Sequence, residues 1–262
     1  MIMIEPRVDL SIAVYNQWDK TKRFLDSFFK YTKYQNYQLN IIDNSSKDST
    51  VNELDVYAEM DKVNVIWNDN RESFSACHNK VLSKAKGKYC CVLAHDIEIV
   101  TFKWLEKMVM YAENNERCGI LAPIKIIGQE PDLKRLYGGR IEDDAFCFNI
   151  CEENEMDKIE YIQSSCMLIK NSLIKRIEVF DERFVGKYYD DIDFCIRATE
   201  AGYTIDIALD VEVFYYDDED MSWKTNQENN RKLFVEKQTE WLIKNKGAAV
   251  KRLRRSRIHG TT

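Results

Sequence analysis

The chain has 262 residues, of which 45% are hydrophobic and 31% charged, with only 3 prolines and 9 glycines. That balance supplies a sizeable buried core and excludes a low-complexity or linker-rich chain. The net charge of -6 is unevenly spread: Lys244 to Thr262 holds seven Lys or Arg and no acid, which leaves -13 on residues 1–243.

An acid-free basic end is expected to have its own polyanionic partner, either anionic lipid head groups or a nucleic-acid backbone. Eight cysteines are present and none forms a Cys-x-x-Cys pair. Several sit in apolar runs such as Tyr89-Cys90-Cys91-Val92-Leu93, so they read as reduced core residues rather than zinc ligands or a disulfide frame. Met1 to Asp9 is too polar for a secretory leader, and no apolar run approaches the roughly 20 residues of a membrane span. The expectation is a cytoplasmic protein, at most peripheral to the inner face of a membrane.

In chain order, Val8 to Tyr15 alternates and is β-branched, which predicts a strand. A helix follows over Asp19 to Tyr31, then a strand over Tyr37 to Asp43, a helix over Thr50 to Met60 and a strand over Val63 to Trp67. Phe74 to Ala85 predicts a helix that Gly87 should stop. Tyr89 to Leu93 is wholly apolar, as a strand covered on both faces should be. Thr101 is placed to cap a helix over Phe102 to Glu113. Strands alternating with helices predict a mostly parallel, Rossmann-like sheet flanked by helices, with ligands at the carboxyl ends of its strands. Polar clusters stand at four such ends: Tyr15-Asn16, Asp43-Asn44-Ser45-Ser46, Asn68-Asp69-Asn70 and His95-Asp96.

The second half is more mixed. Strands are expected over Gly119 to Ile127, Tyr161 to Lys170, Tyr203 to Ala208 and Glu212 to Tyr216. Helices are expected over Ser172 to Ile177 and over Asp190 to Ala201, the latter ended by Gly202. Ile141 to Ile159 is acidic and irregular. Glu228 to Lys246 reads as one long amphipathic C-terminal helix. The division expected is a single domain over residues 1–243, with a nucleotide-sugar half (1–115) and an acceptor half (116–243), followed by the basic tail 244–262.

Several segments, in this order, resemble family 2 glycosyltransferases of the GT-A fold. Val14-Tyr15-Asn16 is similar to their first-strand element, and Ile42 to Asp48 to their donor loop. Asn70 with Phe74 to Asn79 and Ala85 to Tyr89 resemble the elements that lead into their aspartate motif. Phe180-Asp181-Glu182-Arg183-Phe184, Tyr189 to Arg197 and Ala201-Gly202-Tyr203 are similar to the acceptor-side motifs.

The resemblance implies a nucleotide diphospho-sugar donor, most simply a UDP- or dTDP-sugar, and transfer to an acceptor hydroxyl with inversion. Asp43 would accept from a base N–H, with Tyr15, Asn16 and Ser45 nearby, and Asn70 and Asn79 would contact the sugar or phosphates. Asp96 would hold Mg²⁺ or Mn²⁺ against the diphosphate, either alone with waters or helped by His95 or Glu98. Asp191 would be the general base, with Asp190, Gln163 and Ser164 on the acceptor side. The acceptor would be a glycan, a lipid-linked sugar or, given the basic tail, a nucleic acid.

The chain departs from the pattern in four places. Ala94 replaces the first motif acid, Tyr215-Tyr216 stands where a late metal-binding histidine is common, Ser73 replaces a glycine, and Gln163 to Cys166 replaces a glycine-containing segment. A weakly metal-dependent enzyme and a catalytically impaired nucleotide-sugar-binding protein both follow from those departures. A nucleotidyltransferase would need a Gly-rich basic loop after the first strand, where this chain has Asn16-Gln17-Trp18-Asp19.

Overall fold

The computed structural model describes residues 5–142, 149–186, 188–216 and 224–246. The first half alternates as its periodicity dictates: β1 (Val8–Val14), α1 (Trp18–Tyr31), β2 (Tyr37–Asp43), α2 (Thr50–Ala58), β3 (Val63–Trp67), α3 (Phe74–Leu82) and β4 (Tyr89–Ala94). A short β5 (Ile97–Ile99), α4 (Trp104–Asn114) and the long β6 (Cys118–Ile127) follow. Then come β7 (Lys134–Leu136), β8 (Gly139–Arg140), β9 (Asn149–Ile150), a 3-10 turn over Glu153–Lys158 and β10 (Cys166–Lys170). The chain continues through α5 (Asn171–Ile177), α6 (Asp190–Glu200), β11 (Thr204–Tyr215), α7 (Lys224–Lys237) and α8 (Thr239–Lys246).

Nine strands form one sheet in the order β3-β2-β1-β4-β10-β6-β11-β5, with β7 paired to β6. β3, β2, β1 and β4 run parallel, β10 is antiparallel to β4 and β6, and β11 runs parallel to β6. One core, built on Leu10, Ile12, Phe28, Trp104 and Met108, fills one side of the sheet. A second, built on Val92, Ile120, Met167, Phe194 and Phe234, fills the other. Burial on both faces explains why the β4 sequence carries no polar residue.

The order carries a geometric consequence. β4 and β5 lie four strands apart, about 19 Å in a flat sheet. Only Ala94 to Ile97 joins them, a reach of about 11 Å. The sheet must therefore curl until the far end of β11 returns to the end of β4. A register shift in β11 between Ala208 and Glu212 supplies the bend. It also explains why two expected strands are one bent strand.

Other expectations are corrected. Gly87 does not cap α3, which ends at Leu82 and Ser83. Its role is close approach: a Cβ there would lie 2.5 Å from the Arg7 carbonyl oxygen. Thr101 does not cap α4; its hydroxyl accepts from the Glu212 amide and donates to the Glu212 carbonyl. The predicted C-terminal helix divides at Gln238 into α7 and α8. The strand expected from Tyr161 begins only at Cys166. Gly202 ends α6 as expected, with φ 87°. The seven described cysteines are free and buried, and Cys147 lies outside the described residues. The basic tail beyond Lys246 also lies outside them.

Candidate active site

The carboxyl ends of β1, β2, β3 and β4 form one edge, and hydrogen bonds staple the loops that leave it. The Asn44 amide donates to the Val14 carbonyl (2.8 Å), and the Asn68 amide to the Asp43 carbonyl (2.9 Å). Asn44 Oδ1 accepts from the Glu72 amide and from Asn68 Nδ2, joining three loops at one side chain. Asn16, in the left-handed region at φ 51°, donates its amide to Ser46 and accepts from the Lys47 amide. Asn16 is therefore a pin between the first two loops. Ser45 is also left-handed and donates to the Asp69 carbonyl. The Arg71 guanidinium lies 4.1 Å over the ring of Tyr15.

Two carboxylates on this edge hold an unused acceptor atom. Asp43 is 3% exposed; its Oδ2 accepts from the Ser46 amide, and its Oδ1 is buried with no partner. Asp96 is 7% exposed, and its Oδ1 is likewise buried and without a partner. Unmatched buried acceptors are costly and point to a ligand or solvent that completes them. Asp96 lies between β4 and β5 beside His95, and its carbonyl accepts from the Tyr216 amide (2.9 Å). That bond closes the curl of the sheet. Glu98 is occupied elsewhere, accepting from the Tyr216 hydroxyl (2.6 Å), over whose ring Arg23 lies at 4.0 Å.

α6 brings Asp190 and Asp191 to the same edge. The two residues before it, Tyr188 and Tyr189, have φ of 79° and 77°, a conformation that bulky side chains adopt only when the surroundings impose it. The surroundings do so here: Tyr189 is fully buried against Phe234, and Asn230 of α7 donates to the Val185 and Tyr188 carbonyls. Asp190 accepts from the Ser75 hydroxyl (2.8 Å), which fastens α6 to α3. Asp191 accepts from the Ser164 amide (3.3 Å), and the next carbonyl, that of Ser165, accepts from the Ala94 amide (2.9 Å). One short loop thus links the Asp191 carboxylate to the end of β4, two residues before Asp96.

Burial, and then the neighbouring Asp190 charge, push the Asp191 carboxyl up to about 7. Burial also raises Asp190, against the Ser75 hydrogen bond. Asp193, equally buried, has a different task. It accepts from Arg197, Lys237 and Gln238 and so ties α6 to the C-terminal helices.

The remaining expected residues divide. Gln163 and Ser164 stand in the loop at Asp191, with Gln163 accepting from Lys125. Asn70 is exposed at the end of β3. The Asn79 amide clamps both the N–H and the C=O of Phe180 and donates to Glu182. Its side chain holds the Phe180 loop. Ser75, Asn230 and Lys125 escaped the sequence reading because each acts through a partner at least 38 positions away. Among the described residues, no group of three His, Cys, Asp or Glu is placed to hold a metal ion.

Residues 9–178 match the model of the family described as glycosyl transferase family 2. The chain belongs to that family. An uncharacterized glycosyltransferase of Methanocaldococcus jannaschii is 25% identical over 78% of this chain and 69% of its own length. Glycosyltransferase AglE of Haloferax volcanii is 20% identical over 79% of this chain and 66% of its own. An uncharacterized Sinorhizobium fredii protein is 20% identical over 76% of this chain, which spans only 23% of it.

Two solved structures share the fold. GalNAc-T7, crystallised with UDP, GalNAc and Mn²⁺, superposes with TM-score 0.69 at 15% identity, over 82% of this chain and 44% of its own. The mannosyltransferase PcManGT of Pyrobaculum calidifontis, in complex with GDP-Man and Mn²⁺, gives 0.67 at 15% identity, over 91% and 65%. The fold of this family 2 chain is thus the GT-A fold. No described helix is long and apolar enough to cross a membrane.

Proposed function

We propose that this chain transfers a sugar from a nucleotide diphospho-sugar to an acceptor hydroxyl with inversion at the anomeric carbon. Asp191 is the general base. The observation that carries this reading is a buried carboxyl of α6, raised to about 7, that accepts from the loop bonded to the end of β4. A base that titrates near neutrality removes a hydroxyl proton efficiently. Asp43 Oδ1, buried and unpartnered, is suited to accept from a nucleobase N–H. UDP and dTDP both offer one, and the solved relatives were crystallised with UDP or GDP-Man.

The end of β4 fits a divalent cation held by a single protein carboxylate. Asp96 Oδ1 is the buried atom that would hold it, and Mg²⁺ or Mn²⁺ commonly completes its shell with waters and substrate phosphates. Bound there, the ion would neutralise charge on the diphosphate. Asp96 positions that group, Asp43 and the stapled loops orient the nucleoside, and Asp191 takes the proton.

A glycan or lipid-linked acceptor fits the family, and the basic tail is read as a contact for a polyanionic surface. The triple change Arg252→Glu, Arg254→Glu and Arg255→Glu should then weaken acceptor use and spare donor hydrolysis. The single-carboxylate end of β4 also favours a second reading, a nucleotide-sugar-binding protein without turnover.

Asp191→Asn separates the two readings. As the base, its loss should cut transfer by roughly 10²–10⁴-fold while donor affinity stays unchanged. A wild-type chain that binds donor but transfers nothing, or a variant that turns over normally, would overturn the base assignment.

A further inference from the structure

The donor site proposed above is assigned four buried carboxyl groups, those of Asp43, Asp96, Asp190 and Asp191. A nucleoside diphosphate leaving group would bring further negative charge. Fixed positive groups facing such charge are most effective where water is excluded. Lys80, the cation of α3 nearest the donor loops, is already committed to Glu72 (2.8 Å) and Asn68 (2.6 Å).

Lys125 occupies the required position. It lies near the end of β6, in register with Val213 of β11. Its Nζ donates to Gln163 Oε1 and lies 4.5 Å over the ring of Tyr215. Each of these neighbours adjoins a site residue's partner. Gln163 precedes Ser164, whose amide donates to Asp191. Tyr215 precedes Tyr216, whose amide donates to the Asp96 carbonyl. Only β10 separates β6 from β4 in the sheet. The ammonium therefore lies beside the loop that holds Asp191, near enough for its charge to act on that carboxylate, on a half-buried strand residue rather than on a surface loop.

We propose that Lys125 binds the diphosphate of the donor and carries its charge as the sugar departs. This assignment rests on the donor reading above. In the step itself, the bond from the anomeric carbon to the diphosphate oxygen breaks and its electron pair stays on that oxygen. The acceptor oxygen bonds to the anomeric carbon, and its proton goes to Asp191. Lys125 exchanges no proton in this step, so atoms and charge balance without a further reactant. It also gives the cleft a positive group that chelation cannot remove.

The test compares wild type, Lys125→Met and Lys125→Arg by isothermal titration in EDTA. The probes are UDP, dTDP and GDP, with the matching unphosphorylated nucleosides as controls. For the diphosphate that wild type binds, K125M should lose at least tenfold in affinity and K125R should retain most of it. The nucleoside should bind all three proteins alike, which shows that the base pocket is intact. Equal affinity of wild type and K125M for the diphosphate would overturn the assignment. So would equal losses for diphosphate and nucleoside, which would mark a damaged pocket. A wild-type chain that binds none of the three diphosphates, with or without Mn²⁺, would overturn the donor reading and this assignment with it.

Discussion

The proposed base should cost the fold stability, and the cost should depend on pH. In the unfolded chain a carboxyl like that of Asp191 titrates near 3.8, whereas in the folded chain burial and Asp190 hold it near 7. Below about pH 4 the group is protonated in both states and its stability contribution is intact. As pH rises toward 7 the unfolded state ionises while the folded state resists, so stability falls. Above 7 the loss is complete. Three units at about 1.4 kcal/mol each set a ceiling of about 4 kcal/mol, part of it shared with Asp190.

Asp191→Asn removes this titration. The variant also alters the hydrogen bonds from the Ser164 and Ile192 amides, but that effect is independent of pH and cancels in a comparison of two pH values. Urea unfolding at pH 5 and pH 8 measures the comparison. The stability difference, variant minus wild type, should be larger at pH 8 by about 2–3 kcal/mol. A difference that is the same at both pH values would mean that Asp191 is ionised in the fold throughout, and the reasoning about its role would fail.

Other outcomes follow from the same geometry. Asp190→Asn removes a neighbouring charge that raises Asp191. The acidic limb of kcat/KM against pH should move to lower pH, read from rates between pH 5 and 9. Asp193→Ala strands Arg197, Lys237 and Gln238 around a fully buried position. It should destabilise the chain by about 3–5 kcal/mol in denaturant melts. Gly87→Ala forces a Cβ to 2.5 Å from the Arg7 carbonyl oxygen, a backbone atom that cannot swing away. A loss of about 1–3 kcal/mol should appear in the same assay.

Where the signal was local, sequence and structure agree. β2 (Tyr37–Asp43) and β3 (Val63–Trp67) have the expected bounds, because alternation and flanking turn residues fix them. The four polar clusters do stand at carboxyl ends of parallel strands. Errors gathered where distant contacts decide. Thr101 looked like a helix cap by position but is held by Glu212, 111 residues away. The bend in β11 looked like a break between strands, since a bulge and a turn interrupt alternation alike. Lys125 gave no local signal at all: its place depends on the order of strands in the sheet and on a loop 38 positions away.

The central claim is that Asp43, Asp96 and Asp191 serve one donor-binding cleft. A crystal structure of the chain with UDP and Mn²⁺, recorded at a wavelength where Mn²⁺ scatters anomalously, tests it most directly. The base should sit within hydrogen-bond reach of Asp43 Oδ1, the metal peak against Asp96 Oδ1, and the β-phosphate on the side facing Asp191. Nucleotide bound away from the carboxyl ends of β1, β2 and β4, or a metal peak remote from Asp96, would contradict the account.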